Sequence, residues 1–169
     1  MKEHDIVAPS AWVVRWAPLI PRGTVLDVAC GGGRHSKLFL DRGIEVLAVD
    51  REPRSIPGAR FVQADLERGS PWPFPGERFA GIVVTNYLYR PLFPRLLASL
   101  APDGVLIYET FMQGNERFGK PSNPEFLLRP GELLDAFRTL RVLAFEQGWV
   151  ALPKLAMIQR LCARAERKD

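Results

Sequence analysis

In the stretch Thr24-Val25-Leu26-Asp27-Val28-Ala29-Cys30-Gly31-Gly32-Gly33, a β-branched apolar run leads straight into three consecutive glycines. Residues 34–43, RHSKLFLDRG, then place Leu38, Phe39 and Leu40 on one helical face and stop at Gly43. A strand that feeds a glycine turn and then a helix brings bare backbone close to a ligand, because no Cβ stands in the way. In open sheets of this kind ligands sit beyond the carboxyl ends of the strands, where the strand order reverses. Three glycines alone are a weak signal. The acids that follow strengthen it.

Working outward, residues 44–49, IEVLAV, form a second strand ending in Asp50, and residues 59–64, ARFVQA, a third ending in Asp65. Residues 79–84, FAGIVV, form a fourth that runs into Thr85-Asn86, and residues 104–111, GVLIYETF, a fifth. The runs at 24–29, 79–84 and 104–108 are apolar at nearly every position, the mark of strands covered on both faces in a parallel sheet. PLFPRLLASLAP reads as a crossover helix between the fourth and fifth strands. REPRSIPG and LERGSPWPFPGER are too rich in Pro and Gly for full helices, so one side of the sheet is expected to be thinly covered. Trp12, Trp16 or Trp72 would then cover an apolar side offered to a homodimer partner.

Upstream, residues 10–20, SAWVVRWAPLI, read as a short amphipathic helix capped by Ser10. Downstream come a polar loop, MQGNERFGKPSNPEF, and a helix at about 130–138. Two strands, 140–150 and 154–164, then turn around Pro153. The pattern is α/β: a doubly wound, Rossmann-like, mostly parallel seven-stranded sheet closing on a C-terminal antiparallel strand, with reduced helices on one side.

The 169 residues, 47% hydrophobic and 25% charged, suit one domain over residues 1–169, with a core at about 22–165 behind an N-terminal helix in 1–21. No apolar run reaches the roughly 18 residues of a membrane span. MKEHDIVAPSAW has charges of both signs and no apolar centre, unlike a secretory signal. Cys30 and Cys162 build no disulfide framework, and no Cys/His spacing calls for a metal, so a reducing cytoplasm is the expected setting. A net charge of +4 with scattered basic residues allows an acidic partner without demanding one.

The strand ends supply candidate site residues. Asp50 is placed to accept the hydroxyls of a ribose. Asp65 is placed to accept from an exocyclic amine, with Leu66 giving a backbone amide and an apolar wall. Asp27, inside the first strand, is expected to accept N–H bonds from the glycine turn or to meet a ligand cation through water. An acceptor pocket is expected after the fourth and fifth strands, from Asn86, Tyr87, Tyr89 and Arg90, with Glu109 as base or anchor. His35, just past the glycines, lies within reach of the site. In the polar loop, Arg117 and Lys120 are candidates to draw an anionic acceptor and Phe118 to cap it, so that the loop closes over the ligand.

These segments, in this order, resemble the motifs of class I S-adenosylmethionine-dependent methyltransferases. VLDVACGGGRHS resembles the first, acid-x-Gly-x-Gly-x-Gly, with Ala29 in place of its first glycine. VLAVD resembles the second, FVQADLE the third, FAGIVVTNYLY the fourth and LAPDGVLIYETF the fifth. Cys-Gly-x-Gly-Arg is similar to the small bacterial branch that includes tellurite-resistance and thiopurine-type enzymes. The resemblance implies S-adenosylmethionine as cofactor and S-adenosylhomocysteine as product. It implies that Asp27, Gly31 and Gly33 line the methionine part, with Ala29, Cys30 and Arg51 also among the cofactor-binding residues. Asp50 would take the ribose, Asp65 and Leu66 the adenine, and the Thr85 carbonyl the cofactor's amino group. A nicotinamide cofactor fits less well, since its third glycine falls at Ser36.

The implied reaction is in-line methyl transfer to a small-molecule or protein acceptor. With almost no chain beyond the core for an appended recognition domain, a small acceptor, or a partner that supplies the recognition, is favoured. The alternatives are RNA methylation, for which Arg160, Arg164, Arg167 and Lys168 lack interleaved aromatics, and a non-catalytic cofactor-binding module.

Overall fold

The parallel heart of the sheet is β1 (Val25–Val28), flanked by β2 (Val46–Asp50) and β4 (Phe79–Thr85). β3 (Arg60–Gln63) extends it beyond β2, and β5 (Leu100–Phe111) beyond β4, all in parallel. β7 (Ala156–Arg164) runs antiparallel between β5 and β6 (Arg141–Val150), giving the order β3-β2-β1-β4-β5-β7-β6. The chain steps outward one way from β1 to β3 and the other way from β4 onward, so the strand order reverses between β1 and β4. The computed structural model describes residues 8–167, so Lys168 and the first seven residues, on which the reading of the N-terminus as no secretory signal rests, lie outside the described residues.

Alternation along each strand feeds two cores. Val25, Val46, Val83 and Ile107 meet Trp12 and Val13 of α1 (Ala11–Trp16) and Phe39 of α2 (Arg34–Leu40). Leu26, Val49, Ile82 and Leu106 face α3 (Phe93–Ala98) and α4 (Glu132–Ala136), where Phe93, Leu96 and Phe137 pack on Tyr108. No helix follows β2 or β3. The thin cover expected there is made good by side chains: Leu66 and Phe74 are buried, and Trp72 and Phe79 meet the Phe74 ring edge-on at 5.3 and 5.9 Å. Large aromatic rings bury the area a helix would have covered. Trp12 is itself 3% exposed, with its Nε1 donating to the Leu161 carbonyl. Trp12 and Trp72 therefore serve this chain's own cores rather than an outward apolar face.

Two local expectations shift. β5 begins at Leu100, because Leu100 already pairs with Phe79 ahead of an irregularity in register. Ser10 precedes α1, yet its hydroxyl does not cap the helix but donates to Glu109 Oε1 at 2.9 Å. No helix among the described residues is long and apolar enough to cross a membrane.

Candidate cofactor and acceptor site

The carboxyl ends of β1 and β4 open on a cleft of about 740 Å³ whose floor is Cys30, Gly31, Gly32 and Gly33, with His35, Ile56, Thr85 and Asn86 around it. Gly31 sits at φ +53° with open space where a Cβ would stand. At Gly33, φ +83°, a Cβ would come within 3.0 Å of the Ile56 side chain, so the turn can press against that wall only as glycine. Ala29 holds a left-handed φ of 51° despite its methyl, a conformation that costs roughly 1 kcal/mol.

Ala29 joins this cleft to a second, of about 250 Å³, lined by Asp50, Arg51, Asp65 and Leu66. Asp50 Oδ2 accepts the Gly31 N–H and Oδ1 the Glu52 N–H, each at 2.9 Å, so the acid at the end of β2 braces the glycine turn. Asp65 Oδ1 accepts the Glu67 N–H at 2.9 Å and forms a tight turn. A carboxylate offers about four lone-pair directions, so both acids keep acceptor capacity for a ligand.

Asp27 has a different place from the one expected. It is 2% exposed and does not line the clefts. Its Oδ2 accepts the Ser36 N–H at 3.0 Å and the Ser36 hydroxyl at 2.6 Å, so its partners come from the first turn of α2 rather than from the glycines. Burial pushes its carboxyl up to about 6, against the Ser36 hydrogen bonds.

His35 is buried between two partners. Ser10 N–H donates to its Nε2 at 3.0 Å, which leaves the ring proton on Nδ1, 3.4 Å from Thr85 Oγ1. Burial, with the Arg34 charge, lowers its pKa to about 4. His35 is thus a neutral link from Ser10 to Thr85, with both nitrogens engaged.

A third cavity, of about 330 Å³, adjoins the others: it shares Asn86 with the glycine cleft, and Glu67 and Tyr87 with the cleft of the two acids. Thr110, Pro121 and Phe126 complete much of its wall. The Tyr87 hydroxyl donates to Glu67 Oε1 at 3.2 Å, and the Tyr108 hydroxyl donates to the Tyr87 carbonyl at 2.9 Å. Burial, then the Glu67 charge, raises the Tyr87 phenol far above its ordinary range, so it stays protonated near neutrality.

Other expected acceptor residues lie elsewhere. Arg90 donates through Nε and Nη2 to Glu132 and through Nη1 and Nη2 to the Glu125 and Leu127 carbonyls. It clamps the backbone on either side of Phe126 with four of its five N–H donors committed, and it lines none of the three cavities. Glu109 is tied to Arg160 Nε and to the Ser10 hydroxyl, and lines none of the three cavities. The Tyr89 hydroxyl accepts the Arg68 N–H at 3.1 Å. Arg117 and Phe118 are exposed and line none of the three cavities, while Pro121 and Phe126 of the same loop wall the third. Asn115 fastens this loop, accepting the Met157 N–H and donating to the Pro121 carbonyl. Glu67, Ile56, Pro121 and Phe126 went unmarked in the sequence. Only Glu67 had a signal there, as the next residue after Asp65-Leu66.

The profile of the methyltransferase domain family matches residues 1–166. The chain belongs to the class I S-adenosylmethionine-dependent methyltransferases. It is 29% identical over 157 residues to the ribosomal RNA small subunit methyltransferase H of Gemmatimonas aurantiaca, covering 86% of this chain and 48% of the relative. It is 36% identical over 109 residues to a trans-aconitate 2-methyltransferase of Methylobacterium nodulans, covering 58% of this chain and 42% of the relative. The chain thus spans about half the length of these curated relatives or less. The fold is similar to that of TehB from Haemophilus influenzae, with a TM-score of 0.75 and 17% identity over 98% of this chain and 65% of that one.

In this member of the family, the donor set suits the family's cofactor. Open space above Gly31 admits a ligand's backbone-like chain, two carboxylates with spare lone pairs face the second cleft, and Leu66 gives an apolar surface.

Proposed function

We propose that this protein transfers the methyl group of S-adenosylmethionine to a small-molecule acceptor held in the cavity beside Asn86 and Tyr87. In this reading Gly31, Gly33, Cys30 and Ala29 receive the methionine part, with the Thr85 carbonyl at its amino group. Asp50 holds the ribose, and Asp65, Leu66 and Arg51 surround the adenine. The bound sulfonium supplies an activated methyl group, so the chain's own work is to align an acceptor and exclude water. Asn86, at the end of β4, stands where the cofactor and acceptor cavities meet.

What carries the reading is the joining of three cavities at the switch point of the sheet, with glycine backbone on one side and acids on another. Tyr87 serves as a hydrogen-bond donor rather than a base, and Glu109 as a brace for the start of α1. Trans-aconitate, suggested by the curated relatives, is a poor match, because among the described residues no Lys or Arg lines the acceptor cavity. RNA is also disfavoured: Arg160 is engaged by Glu109 and Glu146, Arg167 by Asp103, and Arg164 Nη2 donates to the Leu19 carbonyl. The reading places the protein in the cytoplasm, where its two buried thiols remain reduced.

The test is to incubate the protein with S-adenosylmethionine labelled in the methyl group and a fractionated cell extract. Label is expected in the small-molecule fraction and not in RNA. Binding of the cofactor with no transfer to any fraction would contradict the proposal.

A further inference from the structure

Among the described residues the acceptor cavity has one lining carboxylate, no lining cation and aromatic side chains in its walls. Glu67 is half-buried there, and among the described residues no Lys or Arg side chain pairs with it. Tyr87 holds Oε1, and no hydrogen bond among the described residues takes up Oε2. Phe126, 49% exposed, lines the same cavity, and the backbone on either side of it is held by the Arg90 clamp on the carbonyls of Glu125 and Leu127. A carboxylate oxygen without a partner keeps its lone pairs free for a donor on a ligand. A cavity of about 330 Å³, near the small end of the usual range for ligand sites, suits one or two fused rings.

From this juxtaposition we infer that the acceptor is a flat aromatic amine, its ring lying between Tyr87 and Phe126 and its N–H donating to Glu67 Oε2. The inference rests on the methyltransferase reading and narrows its substrate class. An aromatic amine is uncharged at neutral pH, so its nitrogen keeps a lone pair. That pair forms the new N–C bond as the C–S bond breaks, with the bonding electrons going to sulfur. The surplus proton on nitrogen passes to the Glu67 carboxylate and then to solvent, leaving a neutral N-methylated product. The same lining repels a polycarboxylate.

The experiment is calorimetric titration of the full chain, first with S-adenosylhomocysteine and then, in its presence, with 6-aminoquinoline, quinoline and citrate. Binding of 6-aminoquinoline is expected, about tenfold tighter than quinoline, with no heat from citrate. Glu67→Gln and Phe126→Ala are each expected to weaken it about tenfold. Mass spectrometry after incubation with S-adenosylmethionine is expected to show the N-methylated amine. If S-adenosylhomocysteine binds but the amine does not, or citrate binds more tightly, or neither substitution matters, this inference is overturned and the methyltransferase reading stands. If S-adenosylhomocysteine itself does not bind, both fall.

Discussion

Two neighbouring buried groups titrate in opposite directions, and their opposition predicts an unusually flat stability profile. Asp27, ordinarily near 3.8, is pushed by burial to about 6. Its folded pKa is raised, so its contribution to stability is full below pH 3.8 and is lost as pH rises through about 6. His35, ordinarily near 6.5, is lowered to about 4 by burial and Arg34. The fold prefers the neutral ring, so this contribution is missing at low pH and is gained as pH rises towards 6.5. A tenfold change in proton affinity is worth about 1.4 kcal/mol, so each group moves stability by about 2–3 kcal/mol between roughly pH 4.5 and 7. The two effects nearly cancel. Asp27→Asn keeps an oxygen for Ser36 and removes the charge, while His35→Gln keeps an acceptor for the Ser10 N–H. Urea unfolding from pH 4.5 to 7 is expected to give a nearly level wild-type profile. Stability should rise with pH by about 2–3 kcal/mol in Asp27→Asn and fall by a similar amount in His35→Gln. Parallel profiles in all three proteins would refute the opposed titrations.

Burial pushes the Glu132 carboxyl up, but the Arg90 hydrogen bonds, the Arg129 amide and both guanidinium charges outweigh it, and its pKa lies below the ordinary 4.5. Its stabilisation is therefore present above pH 4.5 and is lost on further acidification. Glu132→Gln is expected to cost roughly 2–3 kcal/mol in urea unfolding at neutral pH, because Arg90 keeps only part of its partners. Ala29→Gly is expected to leave stability unchanged or raise it by up to about 1 kcal/mol in thermal unfolding, because the left-handed conformation no longer carries a methyl. Asp50→Ala is expected to weaken S-adenosylhomocysteine binding at least tenfold by calorimetry, since it removes the brace on the Gly31 N–H as well as a ligand acceptor.

Much of the sheet could be read from the chain, because the fully apolar runs of β1, β4 and β5 and the acids ending β2 and β3 leave local marks. The cleft was legible for the same reason: glycines and strand-end acids announce themselves within a few residues. The acceptor side was not. Arg90 looks like a free cation in sequence, and only the fold brings Glu132 against it from 42 positions away. Phe126 and Pro121 reach the cavity through a loop fastened by Asn115 to β7, a contact without sequence periodicity. Ser10 had the form of a helix cap, and a long-range acid, Glu109, took its hydroxyl instead. Asp27 shows the opposite limit: the acid of the first motif was conspicuous, but its orientation toward Ser36 follows from strand alternation and from α2, neither of which names a partner in advance.

The central claim is that the glycine turn and the acids at 50 and 65 grip an adenosyl ligand. Titration of the full chain with S-adenosylhomocysteine at neutral pH tests it most directly. A single saturable site, weakened at least tenfold by Asp50→Ala and weakened again by Asp65→Ala, is the predicted result. No heat of binding, or binding indifferent to both substitutions, would contradict it.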